Sequence, residues 1–298
     1  YLAGKIFLSI SKAPQPGYIL RQPQLAKVLE SIRDSGFDGF YQGKVAQKLV
    51  DGVRQAGGIW QLQDLQQYQV QERQPIKGKY KNINIVSAAP PSSGGIVLVQ
   101  MLNMLSMFDL TNLNSAERTH SLAEVMRRAY FERAQHLGDT DFVEIPINQF
   151  LSTEYAQNLL IDFNPQHAST SQDYLSGGGL LVKDKKLQEG QNTTHFSIID
   201  QTGNYVAATL SINYPFGSGF VAAGTGVLLN NEMDDFVIKP GHPNSWGLVG
   251  GEANAIEAGK RMLSSMSPTF LDDGNRIAIL GTPGGSRIIS MVLLSALE

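Results

Sequence analysis

The sequence contains no cysteine, only five histidines and two tryptophans in 298 residues. Without cysteine there is no thiol nucleophile, no zinc–thiolate site and no disulfide framework, a usage compatible with an oxidising compartment but no proof of one. An excess of charge of one sign is missing too: the formal net charge is −3, which offers no basic footprint for nucleic acid. No apolar run approaches the length needed to cross a bilayer. Tyr1 stands in place of an initiator methionine and no signal-peptide pattern precedes the first helix, so the chain reads as a processed or excised piece. What is present is ordinary globular usage, with 42% hydrophobic and 17% charged residues over a length suited to one large domain or two small ones.

Apolar periodicity predicts helices. Leu25, Val28, Leu29 and Ile32 share one helical face between Pro23 and Gly36, and Val45, Ala46, Leu49, Val50 and Val53 repeat the pattern up to Gly57-Gly58. Further helices are expected from Ile96 to Leu105 and from Ser115 to Leu137, the latter ended by Gly138-Asp139. "YKNINIVSAAP" alternates like a strand and runs into "PPSSGG", residues 90–95. Residues 164–192 are polar, carry Gly177-Gly178-Gly179 and lack periodicity, which predicts a long mobile loop and an internal boundary. Beyond it, "HFSIID", a turn at Gly203 and "YVAATLSIN" form a hairpin, and "GVLLNN" reads as a short strand. "RIAILGTPGGSRIISMVLLSAL" reads as strand, glycine turn and helix. Helices first and strands later suggest a layered α+β fold.

Four stretches can carry chemistry. In "NTTHFSIID" a threonine hydroxyl needs a base to act as a nucleophile. His195 lies two strand residues from Thr193, about 7 Å away at Cα, which is poor geometry for a direct contact. His120, His136, His167 and His242 have no acidic partner at a telling spacing, and no G-x-S-x-G elbow occurs. A cut between Asn192 and Thr193 would supply another base, a free α-amino group with a pKa of about 7.7–8.0 on the nucleophile's own residue. The plain alternative is two β-forming threonines in a strand. "TPGGSR" suits either an oxyanion hole built from the N–H groups of Gly284 and Gly285 or a tight turn, and it lacks the Lys-Ser/Thr of a phosphate loop. "GSGFVAAG" is a poor dinucleotide fingerprint. Glu232, Asp234 and Asp235 in "NNEMDDF" suit an ammonium group, a divalent metal or merely a solvated turn, with few histidines and no ligand spacing to favour the metal. "LSSMSP" offers hydroxyl donors for a carboxylate, or a serine-rich turn.

Together, "NTTHFSIID", "LLNNEMDDF", "GLVGGEAN", "RMLSSMSP" and "GTPGGSR", in that order, resemble the γ-glutamyltranspeptidase family, and "PPSSGG" with "GGIWQLQDLQQY" extends the resemblance over nearly the whole chain. It implies an α+β, four-layer αββα sandwich of the N-terminal nucleophile hydrolase type, with family chains extending beyond both ends seen here. Self-cleavage at Asn192–Thr193 would give large-subunit sequence 1–192 and small-subunit sequence 193–298, associated in one domain. Thr193 would attack its own preceding peptide and later the γ-glutamyl amide of glutathione or a related donor, with release to water or to an amino acid or peptide amine. Gly284 and Gly285 would form the oxyanion hole. Ser211 stands where the family usually has a threonine bonded to the nucleophile. Asn213, Glu232 and Asp235 match positions that hold the donor's α-amino group, and Ser264 and Ser265 those that bind its α-carboxylate. Trp246 falls where many bacterial members have a lid tyrosine. No arginine here matches the one that pairs with the donor carboxylate in the family. The resemblance implies no cofactor, metal or nucleic-acid partner, and a periplasmic or secreted location. The rival expectations are a related acylase (a glutaryl-cephalosporin acylase or poly-γ-glutamate depolymerase) and an inactive truncated remnant.

Overall fold

In the computed structural model, which describes residues 2–8, 11–170, 192–242 and 249–298, the apolar periodicities become helices with the expected ends. After a short α1 (Leu2–Phe7), Pro23 opens α2 (Pro23–Ser35). Gly36 closes that helix at φ 55°, its N–H donating to the Ile32 carbonyl. α3 (Asp38–Tyr41), α4 (Gly43–Gln55) and α5 (Leu62–Gln66) follow. Residues 1–72 with 212–231 form one compact unit, whose buried apolar side chains are Val28, Ala46, Leu49, Val50, Val221 and Ala222. Of the expected stripe on α2 only Val28 is buried. The expected strand "GVLLNN" is not one. Leu228 makes a single antiparallel bridge to Val221, and Gly224 and Gly226, both at positive φ, turn the backbone too tightly for a ladder to extend.

The second unit comprises 73–211 and 232–298. It holds β1 (Ile76–Tyr80), β2 (Ile83–Ser87), α6 (Gly94–Leu105), α7 (Ser115–His136), α8 (Ile147–Phe150) and α9 (Thr153–Leu159). β3 (Thr194–Ile199), β4 (Tyr205–Leu210), β5 (Thr269–Asp272), β6 (Ile277–Leu280) and α10 (Ile288–Leu297) complete it. "YKNINIVSAAP" is therefore not one strand: Lys81, at φ 53°, turns the chain between β1 and β2. Nor do strands wait for the helices, because β1 and β2 pair with β5 and β6 into an antiparallel sheet of order β1-β2-β5-β6.

Strand alternation decides what each face meets. Ile85 and Ser87 pair with Leu271 and Thr269, all four buried on the helical side. There α6 is buried at every residue except Asn103, as expected of a helix apolar all round, and α7, α9 and α10 pack about it. The other face carries Val86 and Phe270, which with Ala207 of β4 line a gap beneath the β3–β4 hairpin. Ser197 Oγ of the hairpin donates to the Ile279 carbonyl of β6 at 3.3 Å. Helices, sheet and hairpin thus give three successive layers. On the hairpin's far side Phe196 and Ile198 are about half exposed. Each unit draws on sequence from both sides of residue 192. Residues 171–191, most of the expected loop, lie outside the described residues.

The centre of α6 is the least forgiving part of this packing. Leu98→Ala, at a fully buried position, should cost about 2–5 kcal/mol in urea unfolding with an unchanged m-value.

Candidate active site

Thr193 immediately precedes β3 and is half-buried. The hairpin register pairs Thr194 with Leu210, so the next pair outward is Thr193 and Ser211. Their side chains meet: Thr193 Oγ1 donates to Ser211 Oγ at 3.3 Å. His195, the histidine nearest in sequence, is turned to other work. Its Nδ1 meets Thr209 Oγ1 at 2.8 Å and its Nε2 meets Ser197 Oγ at 3.1 Å. Its ring lies against Gly281, where any Cβ would come within 2.1 Å of it. Burial lowers its pKa, because desolvation penalises the charged imidazolium.

These contacts also set the direction of the glycine turn relative to β3. Ser197 meets Ile279 and His195 meets Gly281, so β3 followed toward Thr193 runs in the direction of the glycine turn. Gly284 has φ 142° and Gly285 φ 56°, values that a side chain would strain. A single 3-10 turn (Gly285–Arg287) leads into α10, and the Tyr130 hydroxyl anchors it by donating to the Ser286 carbonyl at 2.7 Å.

The serine pair is held by a segment whose role the sequence did not disclose. Ser92 and Ser264 form a parallel bridge, with Ser93 N donating to the Ser264 carbonyl at 2.9 Å and Ser264 N to the Pro91 carbonyl at 2.9 Å. Ser93 Oγ donates to the same Ser264 carbonyl at 2.7 Å, and Ser92 Oγ to that of Met266 at 2.5 Å. Gly94 follows because a Cβ there would lie 2.3 Å from Ser267 Oγ. Ser264 and Ser265 remain half-buried rather than sealed.

Asn254 of "GLVGGEAN" joins these serines to the acidic turn. Its Nδ2 donates to the Asp235 carbonyl at 2.7 Å while its Oδ1 accepts from Leu263 N at 2.9 Å. Glu232 and Asp235 bound a one-turn 3-10 helix, Glu232–Asp235. Burial, reinforced by the neighbouring Glu232 charge, pushes the Asp235 carboxyl up to about 7. Among the described residues no group of three or more His, Asp or Glu side chains is placed to hold a metal ion. Arg133 of α7 donates from Nε to Ser93 Oγ at 2.8 Å and from Nη2 to Ser265 Oγ at 3.1 Å. Thr193, Ser211, Gly284, Gly285, Glu232, Asp235, Ser264 and Ser265 therefore all belong to the second unit. Asn213 belongs to the first, buried at φ 69° with Nδ2 donating to the Asn231 carbonyl at 3.1 Å. Trp246 lies outside the described residues.

The model of the family described as gamma-glutamyltranspeptidase matches residues 3–298. The chain belongs to the γ-glutamyltranspeptidase family. It is 46% identical to a glutathione hydrolase proenzyme of Pseudomonas sp. (strain A14), across 99% of this chain and 51% of the relative. A crystal structure of Helicobacter pylori gamma-glutamyltranspeptidase is similar at 35% identity and TM-score 0.56, covering 61% of this chain and 53% of that one. A cephalosporin acylase from Bacillus halodurans shares the fold at TM-score 0.76 and 23% identity, covering 96% of this chain and 48% of that one. The fold is thus α+β, of the N-terminal nucleophile hydrolase type. The chain spans about half the length of the curated relatives it matches.

The raised pKa of Asp235 has a measurable sign. The folded chain holds this proton up to about 7 while the unfolded chain loses it near 3.8, so stability is greatest below the lower value and falls as pH rises through the window. Asp235→Asn should therefore be more stable than the parent by roughly 1–3 kcal/mol at about pH 8 and equal to it near pH 4, as read by thermal unfolding.

Proposed function

We propose that this chain carries the catalytic threonine and head-group pocket of an autoprocessing γ-glutamyltransferase and glutathione hydrolase. The observation that carries the reading is the Thr193 hydroxyl bonded to Ser211, at the end of β3 that runs toward the twin-glycine turn. In the continuous chain the Thr193 nitrogen is an amide and no base. Scission after Asn192 converts it to an amine that takes the hydroxyl proton as Oγ1 adds to the γ-carbonyl carbon. Charge on the carbonyl oxygen then falls to the N–H groups of Gly284 and Gly285, where one donor is typically worth about 3–4 kcal/mol. Collapse returns the proton to the departing amine and leaves a threonyl ester, which water or an acceptor amine resolves.

The donor's head group is a zwitterion and needs opposite chemistry on its two sides. Glu232 and Asp235 would face the ammonium, and Ser264 and Ser265 would face the carboxylate. Residues 1–192 and 193–298 would stay associated after the cut as the two subunits of one αββα domain, periplasmic or secreted. No helix among the described residues is long and apolar enough to cross a membrane.

The acidic turn favours a γ-glutamyl over a glutaryl donor, which has no ammonium to hold. In the full-length gene product, p-nitroaniline should be released from a γ-glutamyl anilide well ahead of a glutaryl anilide; the reverse preference would make this an acylase. Thr193→Ala should leave the chain uncut on a denaturing gel and lower turnover by roughly 10⁴-fold or more. Mass spectrometry of the parent should find a new amino terminus at Thr193, and an uncut, inert full-length product would exclude the proposal.

A further inference from the structure

Two arginines of α7 are almost fully buried, and they are treated differently. Arg128 is matched by carboxylates, Glu124 at 2.5 Å and Asp162 at 2.8 Å. Arg133, more than one turn along, has hydroxyls instead: Ser93 Oγ and Ser265 Oγ. Among the described residues no carboxylate lies within ion-pair distance of it; Tyr130 and Asp235 act on it only across space. A guanidinium in such a place is costly without a counter-charge, and a fold that needed only packing would place an apolar residue there.

The way it is bonded indicates the use. A serine hydroxyl has one proton to give and lone pairs to receive. Ser265 Oγ receives from Arg133, so its own proton is directed elsewhere, and the adjoining cation makes that O–H a stronger donor. Ser93, clamped to the Ser264 carbonyl, holds the other side of the guanidinium. A second hydroxyl that is free to donate, backed by buried positive charge, suits an anion and not a neutral group.

We propose that Arg133 is a positioning residue, which fixes the Ser265 hydroxyl as a donor to the α-carboxylate of the γ-glutamyl donor. The inference rests on the proposed function and adds a residue to it. Arg133 does not touch the donor. It acts through Ser265, and the donor's carboxylate completes the charge balance that Asp235 meets only at a distance. When the donor's ammonium engages Asp235, its carboxylate compensates Arg133 in turn.

The test uses the full-length gene product with two anilide donors, one bearing the α-carboxylate and one bearing a primary carboxamide in its place. Arg133→Gln should raise KM for the carboxylate donor roughly tenfold, with kcat within about twofold and self-cleavage intact. For the carboxamide donor KM should stay nearly unchanged, so the variant loses the discrimination. Ser265→Ala should lose the same discrimination, and the double variant should lose little more than either single one. Arg133→Lys, which keeps the charge, should retain most of the discrimination; it carries the comparison if the glutamine variant does not accumulate in cleaved form. Equal KM increases for both donors, or an unchanged preference, would overturn the inference and leave Arg133 a packing residue. If the parent cleaves neither donor, the proposed function itself has failed, which is a separate outcome.

Discussion

The second unit depends on a short main-chain contact, the bridge between Ser92 and Ser264. On one side of it the backbone enters α6, the helix around which the core is packed. On the other side it carries Ser264 and Ser265 and then runs into β5, whose pairing with β2 assembles the sheet. Hydroxyls saturate the bridge because the segments on both sides are irregular, and buried carbonyls there need donors that a regular ladder would otherwise supply. The same bonds that close the core therefore set the height and direction of the serine pair.

A second constraint is electrostatic. α7 turns a charged face inward and satisfies most of it locally, through Glu124, Arg128, Asp162 and Ser169. At its far end the balance is left open, with Arg133 on hydroxyls and Asp235 pushed toward a neutral carboxyl by burial and by Glu232. Such a site works against the stability of the empty fold. It gains where a ligand brings both signs of charge, which is the usual relation between stability and function at a binding site.

Much of the fold was legible in the sequence because helix ends are local. Pro23 and Gly36 act within one turn of the residues they affect. The β3–β4 hairpin was legible for the same reason, as its turn and alternation lie in one stretch. β1 was not, since Lys81 gives little warning of a turn, and "GVLLNN" has the composition of a strand without room for a ladder. Among candidate site residues, Thr193, the glycine pair and the acidic turn could be singled out from their own neighbours. Arg133 and Asn254 could not. Each is an ordinary residue in its own segment, and its meaning lies in a contact with chain more than a hundred residues away in one case and nearer, but across a turn, in the other.

By itself the sequence determined where the main helices run, that β3 and β4 form a hairpin, and which hydroxyls, carboxylates and glycines are available for chemistry, because these depend on short-range spacing and side-chain type. Only the tertiary structure decided that Ser211 meets Thr193, that "PPSSGG" holds "LSSMSP", and that the last turn of α7 sends a guanidinium to a serine. Those pairings follow from sheet register and core packing, which are set by the burial of many side chains at once and leave no mark on any single stretch.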